Sequence, residues 1–523
     1  MTQRRITPGL TGVPESVDVV VVGLGVTGAG VALDAASRGL SVLAVDAFDL
    51  AWGTSRFSSK LVHGGLRYLA SGHVGIAHES AVERGILMET TAPHLTRPLP
   101  TIVPLAPGVS RPMGALTRAG LLGGDLLRRA AGTSADTLPK PRRLTAAETR
   151  RVAPALRHDG LRGAVLGWDG QLEDDARLVT TIARTAADRG AAVHTHARVV
   201  AATGTEVTLR DELTGATATV RTRTVINAAG VWAGDVVDDI RLRPSRGTHL
   251  VLRGETLPGL NVAVFAPIPG ERNRYVLVLP QPDGQIYVGL TDEPTDGPVP
   301  DVAEPTEVEI GFLLDVVSAS FSRPLRRSDV VGAYAGLRPL LDTGGPGGPD
   351  SAETADLSRK HAVLTSPAGV VTIVGGKLTT YRRMAEDAVD AAVAHAGLSA
   401  GRCVTATLPL AGAAPRPELA ELVERAETPG HARLVRRFGA DAGLVLDSVR
   451  AVTGLADDEL LAPIDTSIPV TLAELVFGVT HEGAADVADL LDRRTRVGLV
   501  PADRARAVPA AERALELARA ALL

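Results

Sequence analysis

The chain has 523 residues, 45% hydrophobic and 22% charged, which allows two to four domains at roughly 100–200 residues each and excludes wholesale disorder. Aromatic residues make up only 3%, and 55 Lys plus Arg against 60 Asp plus Glu leave a net charge of −5, so neither stacking platforms for single strands nor a general attraction to nucleic acid is expected. The single cysteine, Cys403, excludes an intrachain disulfide, a CxxC pair and centres built on several thiolates; no metal site is expected, and any redox chemistry must be carried by a bound cofactor.

Residues 1–16 read as a polar tail. Residues 17–46 then read as strand, glycine-rich turn, helix and strand, and both strands are continuous apolar runs, as in parallel strands buried on two faces. Because the first apolar run, Val17 to Val22, leads into glycines instead of a cleavage site, the protein is expected in the cytoplasm. The turn is Gly23-Leu24-Gly25-Val26-Thr27-Gly28, a GxGxxG. Its first glycine permits the tight turn, its second lets backbone approach a pyrophosphate, and its third packs helix on strand. Asp46 ends the second strand 23 positions after Gly23, where a carboxylate can take a ribose hydroxyl. This fingerprint serves NAD and FAD alike. Next come Gly53 to Lys60, GTSRFSSK, rich in hydroxyls and by composition alone a solvated polar loop.

Residues 111–130 mix Leu with Arg, as an interfacial helix or a basic surface helix would. A second helix–strand unit follows at 174–200, and a β-meander at 204–226 ends in Asn227-Ala228-Ala229-Gly230. Residues 245–295 carry further strands of a mainly antiparallel sheet. A Gly/Pro-rich loop occupies 341–358, and strands at 361–374 lead to Gly375-Gly376-Lys377 and another helix. Beyond about 404 the Ala/Leu/Glu/Arg composition has helical periodicity.

The run GTSRFSSKLVHGGLRYL, residues 53–69, resembles the signature of FAD-dependent glycerol-3-phosphate dehydrogenases, within the wider D-amino-acid-oxidase-like flavoprotein superfamily. Matching segments follow in order: WDGQLEDDARL (168–178), INAAGVWA (226–233), SRGTHLVL (245–252), VGLTD (288–292), YAGLRPL (334–340), SRKH (358–361), GGKLTTYRRMAE (375–386) and LLDRRTR (490–496). Two positions depart from the pattern: Phe57 stands where a small residue is usual, and Leu290 where Thr is usual. The resemblance implies an α/β and α+β fold. A Rossmann-like FAD-binding domain (17–100, 150–240 and 361–400) would interleave with a mainly antiparallel substrate domain (101–149 and 241–360), and a helical C-terminal domain (404–523) would follow.

It also implies FAD as cofactor, bound through Gly23, Gly25, Gly28, Asp46, Thr54, Ser55, Ser58, Ser59, Lys60, His63, Gly64, Gly65, Leu66, Val199, Ala229, Gly230, Gly376, Lys377, Leu378 and Thr379. The implied reaction is oxidation of sn-glycerol 3-phosphate to dihydroxyacetone phosphate by hydride transfer from C2 to flavin N5, with electrons passed to a quinone. O2 as acceptor and an amine or amino-acid substrate are the alternatives. A phosphate monoester carries roughly −1.5 to −2 charge and calls for Arg forks and Lys. Arg67, Arg338, Arg359 and Lys377 stand at the matching positions, and Tyr68 would orient the substrate. By composition each cation is a surface group; the matching flanks single them out. The 341–358 loop is expected to act as a lid that brings Arg359 onto the phosphate. Catalysis is expected from His249, Arg338 and Lys377, with His249 the candidate base, because a guanidinium pKa above about 12 suits Arg338 poorly to that task. A lone strand histidine is otherwise structural. Cys403 reads as a small buried hydrophobe. Peripheral contact with the inner face of the cell membrane is also implied, with a homodimer as candidate assembly.

Overall fold

The computed structural model describes residues 5–65, 72–106, 111–271, 274–342 and 360–522. Among these residues two large sheets face each other across a cavity, and a helical domain follows.

The first sheet has nine strands among the described residues. Its parallel core runs Thr7–Pro8, Ala192–Thr195, Val42–Val45, Ser16–Val22, Thr217–Asn227 and Val370–Val374. The alternation of strand side chains explains the solid apolar runs read in the sequence. Val19 and Val21 pack under the helices Val26–Ser37, Asp175–Asp188 and Tyr381–Ala396, while Val20 and Val22 enter a second core on the opposite face. Where both faces are covered, along Val19 to Val22 and Val42–Val45, every position is apolar. The three strands nearest the glycine turn, Ser16–Val22, Thr217–Asn227 and Val370–Val374, end side by side, so the loops after them converge.

The second sheet has ten strands among the described residues. Ser245–Arg253 pairs antiparallel with both Gln285–Gly289 and Val330–Arg338, and the order continues through Tyr275–Pro280 and Ala263–Pro267 to Thr96–Pro104 and Ala164–Leu172. One face packs on the helix Glu307–Ser320 through Leu250, Leu252, Val264, Val276 and Val288. The other face turns toward the first sheet. Thr96–Pro104 and Ala164–Leu172 fall largely within the stretches expected to join the cofactor layer, yet they pair in this second sheet. Their alternate residues Ile102, Ala164 and Leu166 fill its core, a pairing set by long-range burial that local pattern does not reveal.

Residues 416–522 form helices, including Pro429–Phe438, Ala442–Thr453, Leu472–Thr480 and Pro501–Leu522, around a core of their own, with one short hairpin.

Candidate active site

A cavity of about 1300 Å³ lies between the two sheets. One wall is the glycine turn with residues 46–48, 52–55, 57–59, 63–65, 228–232 and 375–379. The facing wall is the second sheet around Gly247, His249, Thr291 and Arg338, and residues 117–128 close a third side.

On the cofactor wall the backbone leaves no room for side chains. Gly23 has φ +98°, and a Cβ there would lie 2.7 Å from Ala228 O. A Cβ on Gly28 would collide with the Gly23 carbonyl. Gly25 caps the helix Val26–Ser37 and lines the cavity. Asp46 accepts the Leu24 N–H at 2.6 Å and the Phe48 N–H at 3.0 Å. Burial pushes its pKa up to about 6. A carboxylate oxygen has two acceptor sites, so each keeps capacity for a ribose hydroxyl. Ser55 Oγ accepts the Val26 N–H at 2.9 Å, and Thr54 Oγ1 donates to Leu337 O at 2.5 Å. Val199, Ala229 and Gly230 line the cavity, and Gly230 has φ +60°.

Beside them, Gly64 N donates to Asp169 Oδ1 at 3.0 Å, and Arg84 Nη1 donates to the same oxygen at 2.6 Å. His63 N donates to Thr379 Oγ1 at 3.3 Å. Gly65, Leu378 and Thr379 also face the cavity. Gly376, at φ +70°, brings Lys377 to the cavity, and Lys377 Nζ donates to Ser80 Oγ at 2.6 Å. One 3₁₀ turn, Leu378–Thr380, separates this motif from the helix Tyr381–Ala396.

One expected cofactor contact is displaced. Lys60 is wholly buried; its Nζ donates to Asp175 Oδ2 at 2.9 Å and to Arg56 O at 2.6 Å, and it does not line the cavity. Ser58 lines the cavity, but its N–H and hydroxyl both donate to that carboxylate, at 3.0 and 2.7 Å. Asp175 Oδ2 therefore gathers three donors from the loop and fixes it, and Ser59 faces the cavity between Ser58 and Lys60.

On the facing wall, Ser59 Oγ is hydrogen-bonded with His249 Nε2 at 2.9 Å. The His249 ring stacks on Tyr334, with centroids 4.9 Å apart, and Tyr334 Oη donates to Ser58 O. Burial pushes the His249 pKa down to about 3, and the Lys60 and Arg338 charges add to this. The imidazole is therefore neutral at physiological pH. Arg338 Nη1 donates to Asp292 Oδ1 at 3.0 Å and Ser245 Oγ at 3.1 Å, and Nη2 to Thr291 O at 3.1 Å. This holds the guanidinium plane on the cavity wall. Phe57 stacks on Tyr334 at 6.0 Å, and both Phe57 and Leu290 line the cavity. Cys403 does not; it lies against Thr405 and Arg382.

Leu66, Arg67, Tyr68 and Arg359 lie outside the described residues, as does 343–358 of the expected lid. Sequence reading missed Ser59 as partner of His249, Tyr334 beneath it, and the carboxylates Asp169 and Asp175. The signal was present in 168–178, which matched the family as a segment while no role was attached to its acids.

The glycine cradle, the Asp46 carboxylate and the hydroxyl-lined strap fit a dinucleotide such as FAD, because a Cβ at Gly23 or Gly28 would fill the space at the turn. Comparison with known proteins agrees. The profile described as FAD dependent oxidoreductase matches residues 18–382, and that described as the C-terminal domain of alpha-glycerophosphate oxidase matches 403–522. Glycerol-3-phosphate dehydrogenase 1 of Mycobacterium tuberculosis is 52% identical over 95% of this chain and 94% of its own length. The mitochondrial glycerol-3-phosphate dehydrogenase of Mus musculus is 36% identical over 95% of this chain and 69% of its own. Among solved structures, the glycerol-3-phosphate dehydrogenase of Bacillus halodurans complexed with FAD aligns with TM-score 0.74 and 26% identity, covering 98% of this chain and 92% of that one. The chain therefore belongs to the FAD-dependent oxidoreductases, and within them to the glycerol-3-phosphate dehydrogenase family.

Proposed function

We propose that this chain oxidises sn-glycerol 3-phosphate to dihydroxyacetone phosphate and passes the electrons to a quinone. The observation that carries this reading is a neutral, buried histidine and a pinned arginine facing a glycine-turn cofactor wall across one cavity. The glycine turn, Asp46, Ser55 and Thr379 would hold FAD, which when bound would supply the hydride acceptor for C2, and Lys377 would favour negative charge beside it.

The chain's own groups perform the rest. Arg338, oriented by Asp292, receives the phosphate dianion with directional N–H groups. His249 takes the C2 hydroxyl proton at Nε2, in place of the Ser59 hydroxyl or through it. A free-state pKa of about 3 describes a weak base. The arriving dianion offsets the Arg338 and Lys60 fields that help depress it, so substrate binding raises the basicity of His249 when it is needed.

The acceptor reading rests on the cavity's third side. Across the second sheet, His249 stands beside Gly289, Leu277 and Phe265 in register, and this increasingly apolar floor leads toward Gly167, where Leu121 of the helix Arg111–Ala130 packs. That helix lines the cavity with Gly120, Leu121 and Gly124. It also exposes Leu122 and Leu126, one turn apart, between the exposed Arg118 and Arg129. An apolar acceptor and contact with the inner face of an anionic membrane suit this helix. Among the described residues no helix is long and apolar enough to cross a membrane, and interfacial contact requires none. The resemblance of residues 403–522 to an oxidase domain supports a second reading, with O2 as acceptor.

Anaerobic titration of the flavin-loaded protein with glycerol 3-phosphate should bleach the flavin, and a short-chain quinone should restore its colour faster than O2. An unbleached flavin would overturn the substrate, and faster recovery with O2 would overturn the acceptor.

A further inference from the structure

The LLDRRTR segment has no part in the reaction just described, yet it reaches the cofactor wall. Asp49, fully buried in the strap between Asp46 and Arg56, accepts from Arg493 Nε at 2.6 Å and from Arg494 Nη1 and Nη2, both at 2.7 Å. Both arginines belong to the C-terminal domain and are themselves buried. Their far sides are tied as firmly. Arg494 donates to Glu482 O, and its own carbonyl receives Arg177 at 3.0 Å and Arg437 at 2.7 Å. Arg493 pairs with Asp489, which also holds His196.

The strap they grip is cavity wall. The Arg493 guanidinium lies 4.8 Å from the Trp52 ring centroid, Trp52 stacks on Phe48 at 4.4 Å, and both rings line the cavity beside Asp46. Ala51, in the left-handed region at φ +56°, donates to Leu24 O in the glycine turn at 3.0 Å. Two guanidinium groups on one buried carboxylate form a costly arrangement that adds little net stability but tolerates a single geometry. It is suited to fixing the shape of a loop.

We infer that the C-terminal domain governs retention of FAD through Asp49. Arg493 and Arg494 are positioning residues that hold the strap in its receiving shape, and releasing them weakens cofactor affinity more than turnover of the loaded enzyme.

The test uses full-length apoprotein titrated with FAD, followed by flavin fluorescence, for wild type, Arg494→Gln and Arg450→Gln. The last breaks pairs with Asp447 and Asp457 inside the C-terminal domain and controls for general loosening. Arg494→Gln should raise the FAD Kd at least about ten-fold, with kcat at saturating FAD within about two-fold of wild type. Arg450→Gln should leave Kd within about two-fold of wild type. A wild-type Kd in Arg494→Gln, or an equal rise in the control, overturns the inference. Should Arg494→Gln fail to fold, Arg493→Lys decides. It keeps the charge and loses the guanidinium over Trp52, and an unchanged Kd there overturns the inference equally.

Discussion

The two walls of the cavity are built by opposite means. The cofactor wall owes its shape to missing side chains: Gly23, Gly28 and Gly64 stand where a Cβ would strike the backbone of the turn or the Arg84 guanidinium. The substrate wall owes its shape to paired ones, with His249 seated on Tyr334 and Arg338 tied to Asp292 across strands. A wall of backbone fails all at once when an atom is added, whereas a wall of paired side chains degrades by function, one group at a time.

The largest effect should therefore come from the smallest chemical change. Gly23→Ala places a methyl 2.7 Å from Ala228 O on a backbone at φ +98°, a penalty of order 1–3 kcal/mol for the backbone alone. The purified variant should lack the flavin absorbance band; a yellow Gly23→Ala protein would break the contrast between the walls. On the opposite wall, His249→Ala should lower kcat by about 10²–10⁴-fold while the protein stays yellow. Arg338→Ala should instead act mainly on KM, because it removes the guanidinium paired with Asp292 on the cavity wall, and Arg338→Lys should restore only part of the affinity. Equal losses of kcat and KM in both variants would show that the two groups act as one.

A smaller effect concerns pH. His94 and His249 are both pushed to about 3, His94 first by burial and then by the Arg184 and Arg177 charges. In the unfolded chain each titrates near about 6.5. Between about 6.5 and 3 the unfolded state thus binds more protons, and stability falls as pH falls through that window. At pH 5 each group should cost on the order of 2 kcal/mol relative to pH 7.5. Thermal unfolding should show Tm dropping from pH 7 to 5, with a shallower slope in His94→Leu; an unchanged slope would remove His94 from the account. The mildest change is Leu126→Glu on the exposed face of Arg111–Ala130. Turnover with a water-soluble acceptor should stay within about two-fold, while binding to vesicles of mixed neutral and anionic lipid should fall. Undiminished vesicle binding would dismiss that helix as the membrane contact.

The same division explains what the sequence made legible. The glycine turn, Asp46, and the Gly375-Gly376-Lys377 motif were readable because their requirements are local: a positive φ, a close approach, a strand end. Lys60 was not. The resemblance put Lys60 near the cofactor, but Asp175, far along the chain, turns it inward. His249 was singled out by its flanking residues, whereas its neutrality depends on burial and on the Lys60 and Arg338 charges, none of which is visible in a strand pattern. Thr96–Pro104 joined the second sheet for a similar reason: its sequence, TRPLPTIVP, does not say which core will bury it.

The strand order has a consequence for how the protein comes into being. Val370–Val374 must lie against Thr217–Asn227, and that strand against Ser16–Val22. The first and last of these leave the ribosome about 350 residues apart, which at about 5–20 residues per second is tens of seconds. Throughout that interval the parallel core lacks the strand that lies beyond Thr217–Asn227, and pairings between distant strands are slow to form. The parallel core is thus closed only late in synthesis, once Val374 has been made.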